Sequence, residues 1–229
     1  MVPKLLSPTA GNSTLIALKY EYFEKLIPNY KYGTSHSAGV LKSCESCYFQ
    51  MFAGCESLEK APELPADELF YACYYSMFWG CDSLTEAPDL PATKLAEECY
   101  GEMFGYSGLR KAPELPATEL VTYCYDYMFE ECRYLEEGPY LPARQLYPGC
   151  YEGMFENCSS LRHIKVGFEN WGDGSATAGW AARVPSEGLF ECPDGLALHY
   201  GEGFIPNGWS VNGAAPAALA LDSSNYAML

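Results

Sequence analysis

Cys73-Tyr74-Tyr75-Ser76-Met77-Phe78-Trp79-Gly80-Cys81-Asp82-Ser83-Leu84-Thr85-Glu86-Ala87-Pro88-Asp89-Leu90-Pro91-Ala92 is one copy of a unit that the chain writes five times. The other copies open at Cys47-Tyr48, Cys99-Tyr100, Cys124-Tyr125 and Cys150-Tyr151. Their methionines stand at 51, 77, 103, 128 and 154, so the steps are 26, 26, 25 and 26 residues. A fixed period of this size is the mark of stacked repeats, in which each unit buries its apolar face only against its neighbours.

Each unit divides into two halves. In residues 93–104, Leu95, Cys99 and Met103 stand four apart, with Tyr100 and Phe104 beside them. That spacing predicts a helix buried on about half its circumference. Thr93 would cap its start and Gly105, like Gly54 and Gly80, its end. The second half, 58–65 in the first unit, predicts a short strand with Leu58, Ala61 and Leu64 inward; its prolines cannot donate to a ladder and keep it short. Stacked copies would form a narrow parallel sheet. The expected fold class is therefore α/β, with strands on one side and helices on the other.

The rest of the chain is organised around this array. Residues 1–43 do not match the unit and read as an N-terminal cap or the remnant of a preceding segment. Residues 44–161 are the five-repeat array. Residues 162–212 read as a C-terminal cap rich in tryptophan, and 213–229 as an Ala-rich tail. No apolar run is long enough for a membrane helix.

The net charge is −16. Between 44 and 161 there are 21 acidic against six basic residues, so the array carries the excess. Such a surface repels nucleic acid and anionic lipid, which are bound through lysine and arginine on phosphate. Eleven cysteines suggest a disulfide scaffold at first sight. Nine of them occupy two recurring positions of the unit, and Ser107 replaces one such cysteine in the third copy, leaving an odd number. They read as small buried hydrophobes.

The motif Cys-Tyr-x-x-Met-Phe-x-Gly-Cys-x-Ser-Leu-x-x-Ala-Pro-x-Leu-Pro-Ala at 73–92 resembles the BspA-like (treponemal-type) leucine-rich repeat proteins common in Bacteroidales. So do the closing Gly188-Leu189-Phe190 and the Ile-Pro-x-Gly-Trp-x-Val pattern at 205–211. The resemblance covers roughly residues 44–212. It implies a right-handed solenoid, an extracellular or cell-surface location, and adhesion to proteins or other cells, with no catalytic residues. Similar repeats in phage proteins imply an alternative, a structural virion component such as a fibre or decoration protein.

The residues themselves argue against chemistry. Cys44-x-x-Cys47 is half a zinc motif without its second pair. His36, His163 and His199 are scattered. Asp173 between glycines falls short of a calcium loop. Neither an enzyme nor a cofactor is expected. The candidate binding residues are instead the outward positions of the strand halves, where sequence varies on a repeated backbone: Glu59, Lys60, Glu63, Glu86, Arg110, Lys111, Glu114, Glu136, Glu137 and Tyr140. The resemblance implies a protein or glycan partner on a host or neighbouring cell; the mixed charge of these positions suits a protein surface better than a uniformly charged polymer, and Tyr140 adds an aromatic anchor.

Overall fold

The computed structural model describes residues 45–214. The expectations for 1–43 and for the tail from 215 onward lie outside the described residues. Four strands form one parallel sheet in the order β1-β2-β3-β4. They are β1 (Glu137–Leu141), β2 (His163–Val166), β3 (Leu189–Glu191) and β4 (Ser210–Val211).

The helices expected in the first half of each unit are absent among the described residues. In their place the chain runs as a ribbon of overlapping four-residue turns. In the first unit the N–H groups of Phe49, Met51, Ala53 and Cys55 donate to the carbonyls of Ser46, Tyr48, Gln50 and Phe52. The intervening N–H groups leave the unit: those of Tyr48, Gln50, Phe52 and Gly54 donate to Cys73, Tyr75, Met77 and Trp79 of the next. An α-helix would keep all of these bonds within one segment. The ribbon gives alternate donors to its neighbour, so the units are laced together by main-chain bonds over their whole length.

The ribbon has its own period of four. Left-handed φ recurs at Ser46, Gln50 and Gly54, at Ala72, Ser76 and Gly80, at Tyr123, Tyr127 and Glu131, and at Gly149, Gly153 and Asn157. Gln50 and Gly54 are the third residues of the turns 48–51 and 52–55, where a type II turn needs positive φ. The spacing of Leu95, Cys99 and Met103 is therefore real, but it measures this turn repeat and not a helix. None of the left-handed sites is β-branched, as sterics require. Each non-glycine there costs about 1–2 kcal/mol, which the bonds between units and the burial beneath them offset.

That burial is columnar. Tyr48, Tyr74, Tyr100, Tyr125 and Tyr151 stack ring on ring with centroids 5.4–6.0 Å apart. Phe52, Phe78, Phe104, Phe129 and Phe155 do the same at 5.6–5.8 Å. Met77, Met103, Met128 and Met154 are fully buried between them. The second recurring cysteine ties units together, since Cys81, Cys132 and Cys158 direct Sγ at the carbonyls of Phe52, Phe104 and Phe129, 3.0–3.2 Å away.

Among the described cysteines, nine are thiols outside any disulfide, eight of them buried. Burial pushes the thiols of Cys73, Cys132 and Cys150 up to about 11. Cys47 departs from the expectation of repeat thiols: it is disulfide-bonded.

Strands were expected in every unit, but the first three form only isolated parallel bridges, such as Glu86 with Lys111. Each of those units places two prolines in the segment, at 62 and 65, 88 and 91, and 113 and 116. β1 still contains Pro139, and its register to β2 shifts there. β2, β3 and β4 contain none, and the ladder becomes regular, with His163, Ile164 and Lys165 facing Leu189, Phe190 and Glu191.

The main-chain lacing continues past Leu161. Gly153, Phe155 and Asn157 donate to Ala178, Trp180 and Ala182, and left-handed φ returns at Gly179 and Arg183. Residues 175–183, which open with a single turn of 3-10 helix at Ser175–Thr177, thus form a sixth ribbon. The indole N–H groups of Trp171, Trp180 and Trp209 then donate to the carbonyls of Ala197, Phe204 and Pro185, at 2.7–2.8 Å.

Candidate functional site

The strand halves present the outward residues on a run of shallow grooves. Glu59, Lys60, Glu63 and Glu86 border the first, over a floor of Ala61 and Pro62. Glu86, Arg110, Lys111 and Glu114 border the second, over Ala87 and Pro113. The two share the segment at 85–91, so they adjoin. All of these side chains are exposed, as are Glu136, Glu137 and Tyr140. Prolines leave the floors few main-chain donors, so the polar groups there are those of the rims.

The sequence placed Arg110 and Tyr140 but missed what they touch. Arg110 stacks its guanidinium over the ring of Tyr134, 5.2 Å from the centroid, and Tyr134 is 57% exposed. Tyr134 belongs to the tail of the fourth ribbon and carries no periodic signal. Tyr140 faces Lys165 across the sheet, and Lys165 faces Glu191. Lys165 Nζ lies 5.9 Å from the Tyr140 centroid and 2.8 Å from Glu191 Oε2. The pair shifts both groups toward their charged forms: the bond to Glu191 raises the lysine, and the bond to Lys165 lowers the carboxylate. His163 Nε2 is 3.8 Å from the same carboxylate. The row Tyr140, Lys165, Glu191 follows from parallel register, in which residues one unit apart become neighbours.

No family model, no curated protein and no solved structure matches this chain.

The ribbon side has a different chemistry, which the sequence reading did not single out. Tyr71 and Tyr75 donate their hydroxyls across one unit to Glu98 and Glu102, at 3.0 and 2.6 Å. Ser76 Oγ adds a bond of 3.0 Å to Glu102. Asp126 stands beside them, buried, with Oδ1 unpartnered. Burial first, and then the charges of Glu102, Glu98 and Glu152, push its carboxyl up to about 7. Glu130 is raised for the same reasons. Among the described residues no group of histidine, cysteine and carboxylate side chains is placed to hold a metal ion. The buried thiols of Cys99 and Cys158 are raised by desolvation, which disfavours the nucleophilic thiolate.

Proposed function

We propose that the protein is a non-catalytic recognition module that engages a protein or glycan through its strand side, from the proline-floored grooves to the row of Tyr140, Lys165 and Glu191. One observation supports this above the others. Exposed arginine, lysine and tyrosine side chains are oriented by neighbours on other repeats, Arg110 by Tyr134 and Lys165 by Glu191. Side chains held in place before a partner arrives lose less entropy on binding. Mixed charge with exposed aromatics is the composition of a specific contact surface.

The continuous main-chain lacing between units supports a solenoid, right-handed by resemblance to the BspA-like repeats. The same resemblance supports display at a cell surface. On this reading the core residues hold the backbone, and the rim residues change without disturbing it. The test is direct. Labelled protein is applied to a glycan array and to a panel of extracellular-matrix proteins, beside an Arg110→Glu/Lys165→Glu variant. Retention of the wild type and loss of the variant on the same spots is expected. Equal retention of both would move recognition off the strand side.

A further inference from the structure

The ribbons end on an unfilled ladder. In the preceding ribbons the alternate N–H groups donate to the next ribbon, as Gly54 does to Trp79, Gly80 to Gly105, Glu131 to Glu156 and Asn157 to Ala182. In the ribbon at 175–183 the equivalent donors are Gly179, Ala181 and Arg183. They donate to no carbonyl among the described residues. The chain does return beside this ribbon, but side chains make the connection: Thr177 Oγ1 donates to Gly203 O at 2.6 Å and Trp180 Nε1 to Phe204 O at 2.8 Å. Beyond Trp180 the two segments part, and a groove opens between Gly179, Ala182 and Arg183 on one side and Gly201, Glu202 and Asn207 on the other.

The floor of this groove is cleared by small residues. Ala178 and Ala182 stand where the second unit carries Tyr75 and Trp79, as the acceptor positions show: Gln50 donates to Tyr75 as Gly153 does to Ala178, and Gly54 to Trp79 as Asn157 does to Ala182. Nothing lies within 4 Å of a side chain built on Gly179 or Gly201. The walls are acidic, with Glu152 and Glu156 on the preceding unit and Glu202 opposite. Arg183 pairs with Glu156 at 2.9 Å and donates to Asn157 Oδ1 at 3.4 Å. Glu152 accepts the Tyr127 hydroxyl at 3.4 Å.

We infer that this groove binds a polypeptide segment bearing lysine or arginine. Three N–H donors at alternate residues stand open to the main-chain carbonyls of a segment laid beside them, the partners that each preceding ribbon finds in its neighbour. The carboxylates of Glu152 and Glu202 select cationic side chains on that segment. The site is separate from the strand side, so the two are tested independently.

The experiment uses the full chain and two probes: an acetylated and amidated octapeptide alternating lysine and threonine, and its counterpart with glutamate for lysine. Titration is followed by calorimetry at low salt. The lysine peptide binds and the glutamate peptide does not. Ala178→Tyr with Ala182→Trp refills the groove and weakens binding at least tenfold. Glu152→Gln with Glu202→Gln weakens it by a similar factor and reduces its salt dependence. Ala181→Pro removes one donor and weakens it; should that variant not fold, the refilled groove decides. Arg110→Glu with Lys111→Glu, on the strand side, leaves this affinity unchanged. Failure of the lysine peptide to bind, equal binding of both peptides, or full binding by the refilled variant overturns the inference. So does concentration-dependent self-association that the refilled variant abolishes, since a second copy would then occupy the groove.

Discussion

Asp126 and Tyr75 meet over Gly101. A methyl group added at Gly101 would stand 2.6 Å from both Asp126 Oδ1 and Tyr75 Cε2. The carboxylate is 8% exposed, with Glu102, Glu98 and Glu152 as its charged neighbours. It is held in the fold at a position where its charge is unwelcome.

The sign of the pH dependence follows. The folded carboxyl is raised to about 7, whereas the unfolded one titrates near 4. Between those values the folded state holds the proton that the unfolded state releases. Stability from this group is therefore present at acid pH and declines as pH rises from about 4 to 7. Glu130 adds in the same direction. Asp126→Asn should raise stability at pH 8 by about 2–4 kcal/mol and change little at pH 4. Urea midpoints at the two pH values check this, and an equal effect at both would contradict it.

At Gly108 a single methyl would run into main chain. An added Cβ would overlap the carbonyl of Asp82 and crowd its carbon at 3.0 Å, on the preceding unit. The obstacle is main chain held by the lacing, which cannot swing aside as a side chain does. Gly108→Ala should cost about 2–4 kcal/mol. Gly172→Ala, with open space around it and a left-handed φ of 65°, should cost only about 1–2 kcal/mol. Thermal melts of the two variants in parallel measure the difference.

The five-fold register was legible from sequence because buried columns repeat their identities. Tyr48 to Tyr151 and Phe52 to Phe155 stack on themselves, so any change at one level is felt at the next. The path of the main chain within a unit was not legible. A four-residue apolar spacing suits a helix and a turn ribbon equally well, and the choice depends on where alternate N–H groups go. Only the neighbouring unit decides that. Glycines at 149 and 153, both left-handed and four apart, were the available signal against a helix. The outward strand residues were found from variation on a repeated frame. Tyr134, Lys165 and Glu191 were missed, because they become neighbours only through register.

The same comparison refines the core. Met103 is fully buried and Leu95 is only half-buried, though helical spacing treats them alike. Met103→Ala should cost about 2–5 kcal/mol, and Leu95→Ala about half as much. Denaturant titrations at neutral pH rank the two, and a larger loss at Leu95 would mean a ribbon rotated from the one described.

Thiol chemistry reports on the same packing. Eight thiols are buried, and those of Cys99, Cys124 and Cys158 are strongly raised by burial. Cys192 is half-buried and raised chiefly by desolvation. Under native conditions a disulfide reagent at pH 8 should therefore modify Cys192 first and the repeat cysteines only after unfolding. Rapid native modification at Cys99 or Cys158, located by mass spectrometry, would show that the columns open readily.

Lys165 is exposed and held by Glu191, with Tyr140 stacked against its head group. Exposed ion pairs of this kind contribute little to stability, so Lys165→Ala and Tyr140→Ala should leave the melting temperature nearly unchanged. If this row contacts the partner, both substitutions weaken binding, and Tyr140→Ala weakens it more, since a large rigid ring is the common anchor of such surfaces. Glu191→Ala separates positioning from contact. It releases Lys165 without removing it, so binding should fall by less than with Lys165→Ala. The three affinities, measured by surface plasmon resonance against any ligand the arrays identify, test the order. Binding that survives Tyr140→Ala and Lys165→Ala intact would place recognition on the proline-floored grooves around Arg110 and Lys111, where Arg110→Glu with Lys111→Glu would then remove it.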